Sequence, residues 1–249
     1  MIKDFIQGFT AFATAHKIIN KYHLWSYLIL PGLLSVAYVL LLIILGSIYF
    51  SEFSAYITEN WLPDFMTGSV MIIITDILLW ILLLLTGYMT YKHVVLIIFS
   101  PILSHLSEKV EQLVFSQPAP AFSINHMIND IIRSLLINSR NLWFTIIFSL
   151  LSLLLIFIPV IGAVASTIFL FLIQSYYGGF GLIDYTLERK RFSVKDSIQF
   201  AKTNKALVNG IGSGFMILLL IPVVGWFLAP AYGTVTATIA TLEKLNLDK

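Results

Sequence analysis

One carboxylate stands alone inside a long apolar run. Asp76 lies between Phe65 and Met89, a stretch otherwise free of charge. A charge at the centre of a membrane-spanning helix costs about 2.5–3.5 kcal/mol on insertion scales, so such a residue must face protein or water. Asp76 is therefore either part of an ion or proton relay or a hydrogen-bonded packing residue, with Ser69 and Thr75 near it in sequence. A second candidate is cationic. Lys17, Lys21 and His23 come just before an uncharged run that opens at Tyr27. Free backbone N–H groups and the helix dipole at such an opening favour an anion. A third is the run Glu188-Arg189-Lys190-Arg191 after Asp184-Tyr185. With Arg133 and Arg140 it could line an electropositive vestibule for an anion. The same cations could equally fix orientation and touch anionic lipid.

Other chemistries find no residues to carry them. The sequence has no Walker A motif and no glycine-rich phosphate loop. It has no cysteine, which removes disulfides, thiolate metal sites and cysteine nucleophiles. His16, His23, His93, His105 and His126 are scattered and read as interfacial or solvated. No Ser, His and Asp stand at a triad-like spacing. The expectation is a protein without catalytic residues, cofactor or metal. A net charge of +2 is too small to argue for nucleic acid as a partner.

The elements that position these residues follow from composition. The chain is 58% hydrophobic and only 11% charged, where a soluble domain carries about 25% charged residues. A water-soluble fold could not hide so much apolar side chain, so lipid must be the solvent for much of the surface. Four apolar regions emerge: Tyr27 to Phe50, Phe65 to Met89, Asn141 to Ile183 and Ala206 to Leu242. A crossing helix needs about 20 residues. The last two regions are too long for one helix and are broken in the middle by a repeated pattern. Ile158-Pro159-Val160-Ile161-Gly162 returns as Ile221-Pro222-Val223-Val224-Gly225. Proline ends a helix, and glycine accepts the dihedrals of a tight reversal. Each region therefore reads as a helical hairpin with Pro159 and Gly162, or Pro222 and Gly225, at its tip.

Cations then orient the chain. None of the 15 lies between Glu52 and Asp64; if both hairpins return to the side they left, all 15 share one face. The positive-inside bias puts that face, and both termini, in the cytoplasm. The chain is read as one all-α membrane domain over 1–249. Residues 1–24 form an amphipathic interfacial helix, 27–50 and 65–91 two transmembrane helices, and 92–140 a cytoplasmic helical region. The hairpins occupy 141–183 and 206–242, joined by a basic cytoplasmic connection over 184–205; Ser116 to Phe122, with Pro118 and Pro120, is a linker. Asn141 to Ile158 is near the lower limit for crossing, and Ala206 to Ile221 is shorter and holds Gly210, Gly212 and Gly214. Short segments broken by glycine and proline in corresponding places point to re-entrant elements and a transport site. Polar backbone at such tips needs protein cover, which favours packing of the hairpins on each other or on a second subunit.

An ordered set of short motifs resembles a known family. It comprises Phe5 to Gly8, Ile29-Leu30-Pro31, Ser100-Pro101-Ile102-Leu103 with Glu108, Asp130 with Arg133, and the Pro159–Gly162 element. Leu182 to Ser193, Gly212 and Gly214, Ile221-Pro222 and Ala229-Pro230 complete it. Together they are similar to the CysZ sulfate permeases and the related etoposide-induced membrane proteins. The resemblance implies a bacterial inner-membrane protein that takes up sulfate for cysteine synthesis. It implies two full transmembrane helices with two hemi-penetrating hairpins, assembled as a homo-oligomer in lipid. It also implies an inorganic anion as substrate. In those permeases an arginine pair before the first span resembles the anion-binding element. Counting back from Ile29, its places are held here by Trp25 and Ser26. The family's arginine ligands do not carry over, and Lys21 and His23 are the candidates to replace them.

Overall fold

The computed structural model describes residues 1–61, 69–116, 124–221 and 223–247, and every regular element among them is helical. In chain order these are α1 (Ile2–Lys21), α2 (Ser26–Asn60), α3 (Ser69–Ile98), α4 (Ser100–Phe115) and α5 (Ile124–Leu153). A short 3-10 segment (Leu154–Phe157) follows, then α6 (Gly162–Arg189), α7 (Val194–Thr203), α8 (Lys205–Leu219) and α9 (Val224–Leu247). Pro222, and the linker beyond Ser116, lie outside the described residues.

Among the described residues, three helices are long and apolar enough to cross a membrane: Ser26–Asn60, Ile131–Phe157 and Gly162–Arg189. A fourth arises if the end of α3, Thr90–Ile98, and α4 count as one span, bent by 72° at their junction, where Pro101 opens α4 without a backbone donor. Several elements outrun the sequence reading. Helix α2 runs on to Asn60, so Glu52 and Glu59 sit on a helical extension and not in a loop. The connection over 184–205 is itself mostly helical, because α6 continues to Arg189 and α7 follows. Along α2 and α3 large apolar side chains are exposed, among them Leu33, Leu40, Ile44, Ile77 and Leu82, as expected of a surface solvated by lipid.

The Pro-Gly repeat has a common geometry at both places. Val160 and Val223 have positive φ, 68° and 61°, which β-branched residues rarely adopt. The N–H of Gly162 donates to Ile158 O at 3.0 Å and that of Gly225 to Ile221 O at 2.8 Å. Among the described residues no glycine has positive φ. The sequence reading assigned the reversal's dihedral strain to Gly162 and Gly225; the valines carry it instead. The glycines are there for space, since a Cβ on Gly162 would lie 2.1 Å from Leu155 O and one on Gly225 1.8 Å from Leu218 O. Helices α5 and α6 pack antiparallel, with Asn138 against Gly181, Asn141 against Tyr177 and Ser149 against Gln174. Helices α8 and α9 do the same, with Trp226 Nε1 donating to Leu219 O and Phe215 against Gly233.

The core lies where α6, α8 and α9 meet α1, α3 and α4. Helix α1 is part of it. It buries Ala11, Ala15, Ile18 and Ile19 on protein, while Ile2, Ile6 and Phe9, on which the interfacial expectation rested, stay exposed. Two glycines allow the approach: a Cβ on Gly8 would lie 2.6 Å from Leu207 O, and one on Gly210 2.2 Å from Phe5 O.

Helix α7 begins with a capping box. Ser193 Oγ accepts from the Asp196 N–H, and the Asp196 carboxylate accepts from Ser193. Those hydrogen bonds from Ser193 hold the Asp196 carboxyl below its ordinary value. A lowered pKa means the contribution is present above the usual carboxylate range and is lost as pH falls through it. Ser193→Ala is expected to lower the thermal midpoint by roughly 2–4 °C at neutral pH. In acid below the carboxylate range the difference between variant and parent should shrink; a pH-independent difference would mean that the Ser193 hydroxyl's bond to the Asp196 carboxylate contributes nothing.

Candidate functional site

The residues singled out around the first helix junction do not converge. Helix α1 ends at Lys21, His23 takes a left-handed φ of 53°, and Trp25 and Ser26 begin the turn into α2. Lys17, Lys21, His23, Trp25 and Ser26 are all exposed. Lys21 Nζ sits 5.0 Å from the centre of the Tyr22 ring, and Trp25 Nε1 donates to Asn20 Oδ1 at 3.0 Å. Behind them His16 bonds Tyr232 Oη at 2.8 Å and Asn20 at 3.0 Å.

Asp76 faces protein. It accepts a hydrogen bond from Ser54 on α2, a partner 22 residues away that sequence proximity to Ser69 and Thr75 does not suggest. This contact ties α2 to α3 and fits the packing role.

The basic cluster is largely held by carboxylates. Arg133 on α5 donates to Asp184 on α6 at 2.9 Å, to Ser197 Oγ on α7 at 2.7 Å and to Phe192 O at 2.6 Å. Arg189 and Lys190 both pair with Glu111 on α4, Arg189 at 2.8 Å. Arg140 lies over the Phe144 ring, 4.8 Å from its centre. Arg191 is exposed at a left-handed φ of 62°. It lines, with Arg133, Asn129 and Glu188, an open cleft of about 320 Å³ between α5 and the start of α7. These cations therefore lock α4, α5, α6 and α7 together, and only part of the set faces open space.

A polar arrangement that the sequence reading passed over lies deeper. Ser134, Asn138, Asn141, Thr145, Ser149 and Ser152 recur at spacings of four and three on α5, and all are buried. That spacing puts them on one helix face. Against this face lie Lys92 and His93 of α3 and Gln174 of α6. Lys92 is 1% exposed and His93 0% exposed, where the sequence reading placed both on the cytoplasmic surface and counted Lys92 among the orienting cations. Lys92 Nζ donates to Gln174 O at 2.7 Å and to Gln174 Oε1. His93 Nε2 lies 3.4 Å from Thr145 Oγ1, and Gln174 Nε2 reaches Ser149 Oγ at 3.5 Å. The 4-3 spacing of small polar residues inside an uncharged run was the available signal. For Lys92 there was none, because a residue at the end of an apolar run looks the same whether solvent or another helix covers it.

Residues 11–230 match the family described as Sulfate transporter CysZ/Etoposide-induced protein 2.4. The chain belongs to that family. Among curated relatives, a sulfate transporter CysZ of Vibrio cholerae serotype O1 is 25% identical over 231 residues, covering 90% of this chain and 88% of the relative. One of Pseudomonas syringae pv. tomato is 28% identical over 196 residues, covering 76% and 77%. The family description and the apolar helices agree that this is a membrane protein.

Proposed function

We propose that this family member is a sulfate-permease-like anion transporter or channel of the bacterial inner membrane, supplying sulfate for cysteine synthesis. The observation that carries the reading is likeness along 90% of the chain to relatives named sulfate transporters. In this arrangement α2 and α3 cross the bilayer, and the two antiparallel pairs enter from the cytoplasmic side and return to it. Both termini then lie in the cytoplasm with the cations. The second pair, opened by the 15-residue α8, turns back inside the membrane. The first contains stretches of 27 and 28 residues that meet the crossing criterion, longer than the sequence reading allowed, and can reach the far side. Two copies or more would cover the exposed apolar faces. Lys17, Lys21 and His23 serve as a surface collection point for the anion, in the place of the arginine pair.

A second reading, a membrane scaffold that moves nothing, is favoured by one observation: Arg133, Arg189 and Lys190 are all engaged by carboxylates. Reconstitution separates the two. Liposomes holding the purified chain should take up labelled sulfate faster than empty ones, and uptake equal to empty vesicles for sulfate and related oxyanions would leave the scaffold reading standing.

A further inference from the structure

The buried seam between α3, α5 and α6 holds a lysine that the helix contacts do not neutralise. Moving an ammonium out of water costs several kcal/mol unless a partner compensates. Among the described residues no carboxylate pairs with Lys92. Its acceptors are the two oxygens of Gln174, both neutral, and an ammonium has three donors. Asp184, the acid on the facing helix, lies ten residues further along α6 and is taken by Arg133. That is about 15 Å at the helical rise. Beside Lys92, His93 of α3 and Asn138 of α5 meet as hydrogen-bonding neighbours inside the seam. The site thus sets a buried amine among neutral hydrogen-bonding groups only, and leaves it donor capacity for a ligand with several oxygens.

Its surroundings extend it into a line. From Ser134 to Ser152 the polar face of α5 runs for about 27 Å at the helical rise, close to the hydrocarbon thickness of about 30 Å. One end adjoins Arg133 and the open cleft that Arg191 also lines. Hydroxyls and amides along the way can hydrogen-bond an anion without a charge strong enough to trap it, the balance that conduction needs.

We propose that this seam is the route by which a small oxyanion crosses the protomer, and that Lys92 is the charge that admits it. The proposal rests on the transport reading above, and the experiment keeps the two apart. In liposomes, Lys92→Met should reduce the initial rate of sulfate uptake by about tenfold or more, as expected from loss of one charge-assisted contact. Parent uptake with an undiminished Lys92→Met rate would overturn the seam and leave transport intact. Because the chain has no cysteine, Ser149→Cys supplies a unique thiol as a second test. The neighbouring Leu150 points outward and is 60% exposed, so Leu150→Cys is the lipid-facing comparison. The anionic reagent sulfonatoethyl methanethiosulfonate should modify the Ser149→Cys protein faster than the Leu150→Cys protein, and added sulfate should slow that reaction. Equal rates at the two positions, or no effect of sulfate, would overturn the proposal. Should the parent move no sulfate, the transport reading falls, and the labelling still decides whether an anion enters the seam.

Discussion

Gly212→Ala is expected to lower the thermal midpoint of the purified protein by roughly 6–12 °C, the upper range for overpacking converted at the scale of a chain this size. The reason is the closeness of α6 and α8. A Cβ on Gly212 would lie 1.7 Å from Ser175 O, and one on Gly179 2.2 Å from Val208 O. The obstacle at Gly212 is backbone, so no side chain can turn aside and the helices must separate. In lipid, where the hydrophobic effect does not press helices together, such close packing of small residues is a main source of helix association. Gly178→Ala is the matched comparison, because its nearest neighbour would be 3.4 Å away, an ordinary contact. Melting followed by size-exclusion chromatography should separate the two variants; equal midpoints would mean that the crossing is looser than the geometry states.

Arg133→Ala should destabilise the protein by about 3–5 kcal/mol, the usual result of removing one partner of a buried ion pair. Asp184, whose side chain is 3% exposed, would be left in the interior without its cation, and Phe192 O and Ser197 Oγ would lose their donor. The double variant Arg133→Leu with Asp184→Leu should recover most of that loss, since replacing both charges by apolar groups of similar size is often close to neutral. Midpoints in denaturant give the comparison. If the single and double variants were equally unstable, the ion pair would not be what joins α5, α6 and α7.

How legible these features were depended on the distance over which they act. Helical class, the α2 span and the two broken regions followed from local composition and from the repeated Ile-Pro-Val-aliphatic-Gly pattern. The division of labour within that pattern was not local. Val160 and Val223 carry the left-handed dihedral because Gly162 and Gly225 are needed against Leu155 and Leu218, and no one-dimensional rule anticipates that exchange. For Asp76 the sequence offered Ser69 and Thr75 as neighbours, whereas its partner, Ser54, comes from another helix. Arg133 was marked as cationic, while its neutralisation by Asp184 depends on contact across 51 residues. The candidate anion residues at 17–26 share a stretch of sequence and stay on the surface, because α1 turns its apolar side to α8 and so leaves Lys17 and Lys21 outside. Lys92 and His93 went the other way, covered by α5 and α6.

The polar face of α5 also bears on how the protein is made. A helix carrying Ser134, Asn138, Asn141, Thr145, Ser149 and Ser152 along one side partitions into lipid less readily than an all-apolar one, since its amides and hydroxyls lack partners there. Its partners are Gln174 and Tyr177, which leave the ribosome later, and His93, which leaves it earlier. If α5 and α6 enter the bilayer as the proposed hairpin, α5 gains Gln174 and Tyr177 only once α6 is made. A chain truncated after Leu153 would lack Gln174 and Tyr177 and leave Ser149 and Asn141 of α5 without their α6 partners.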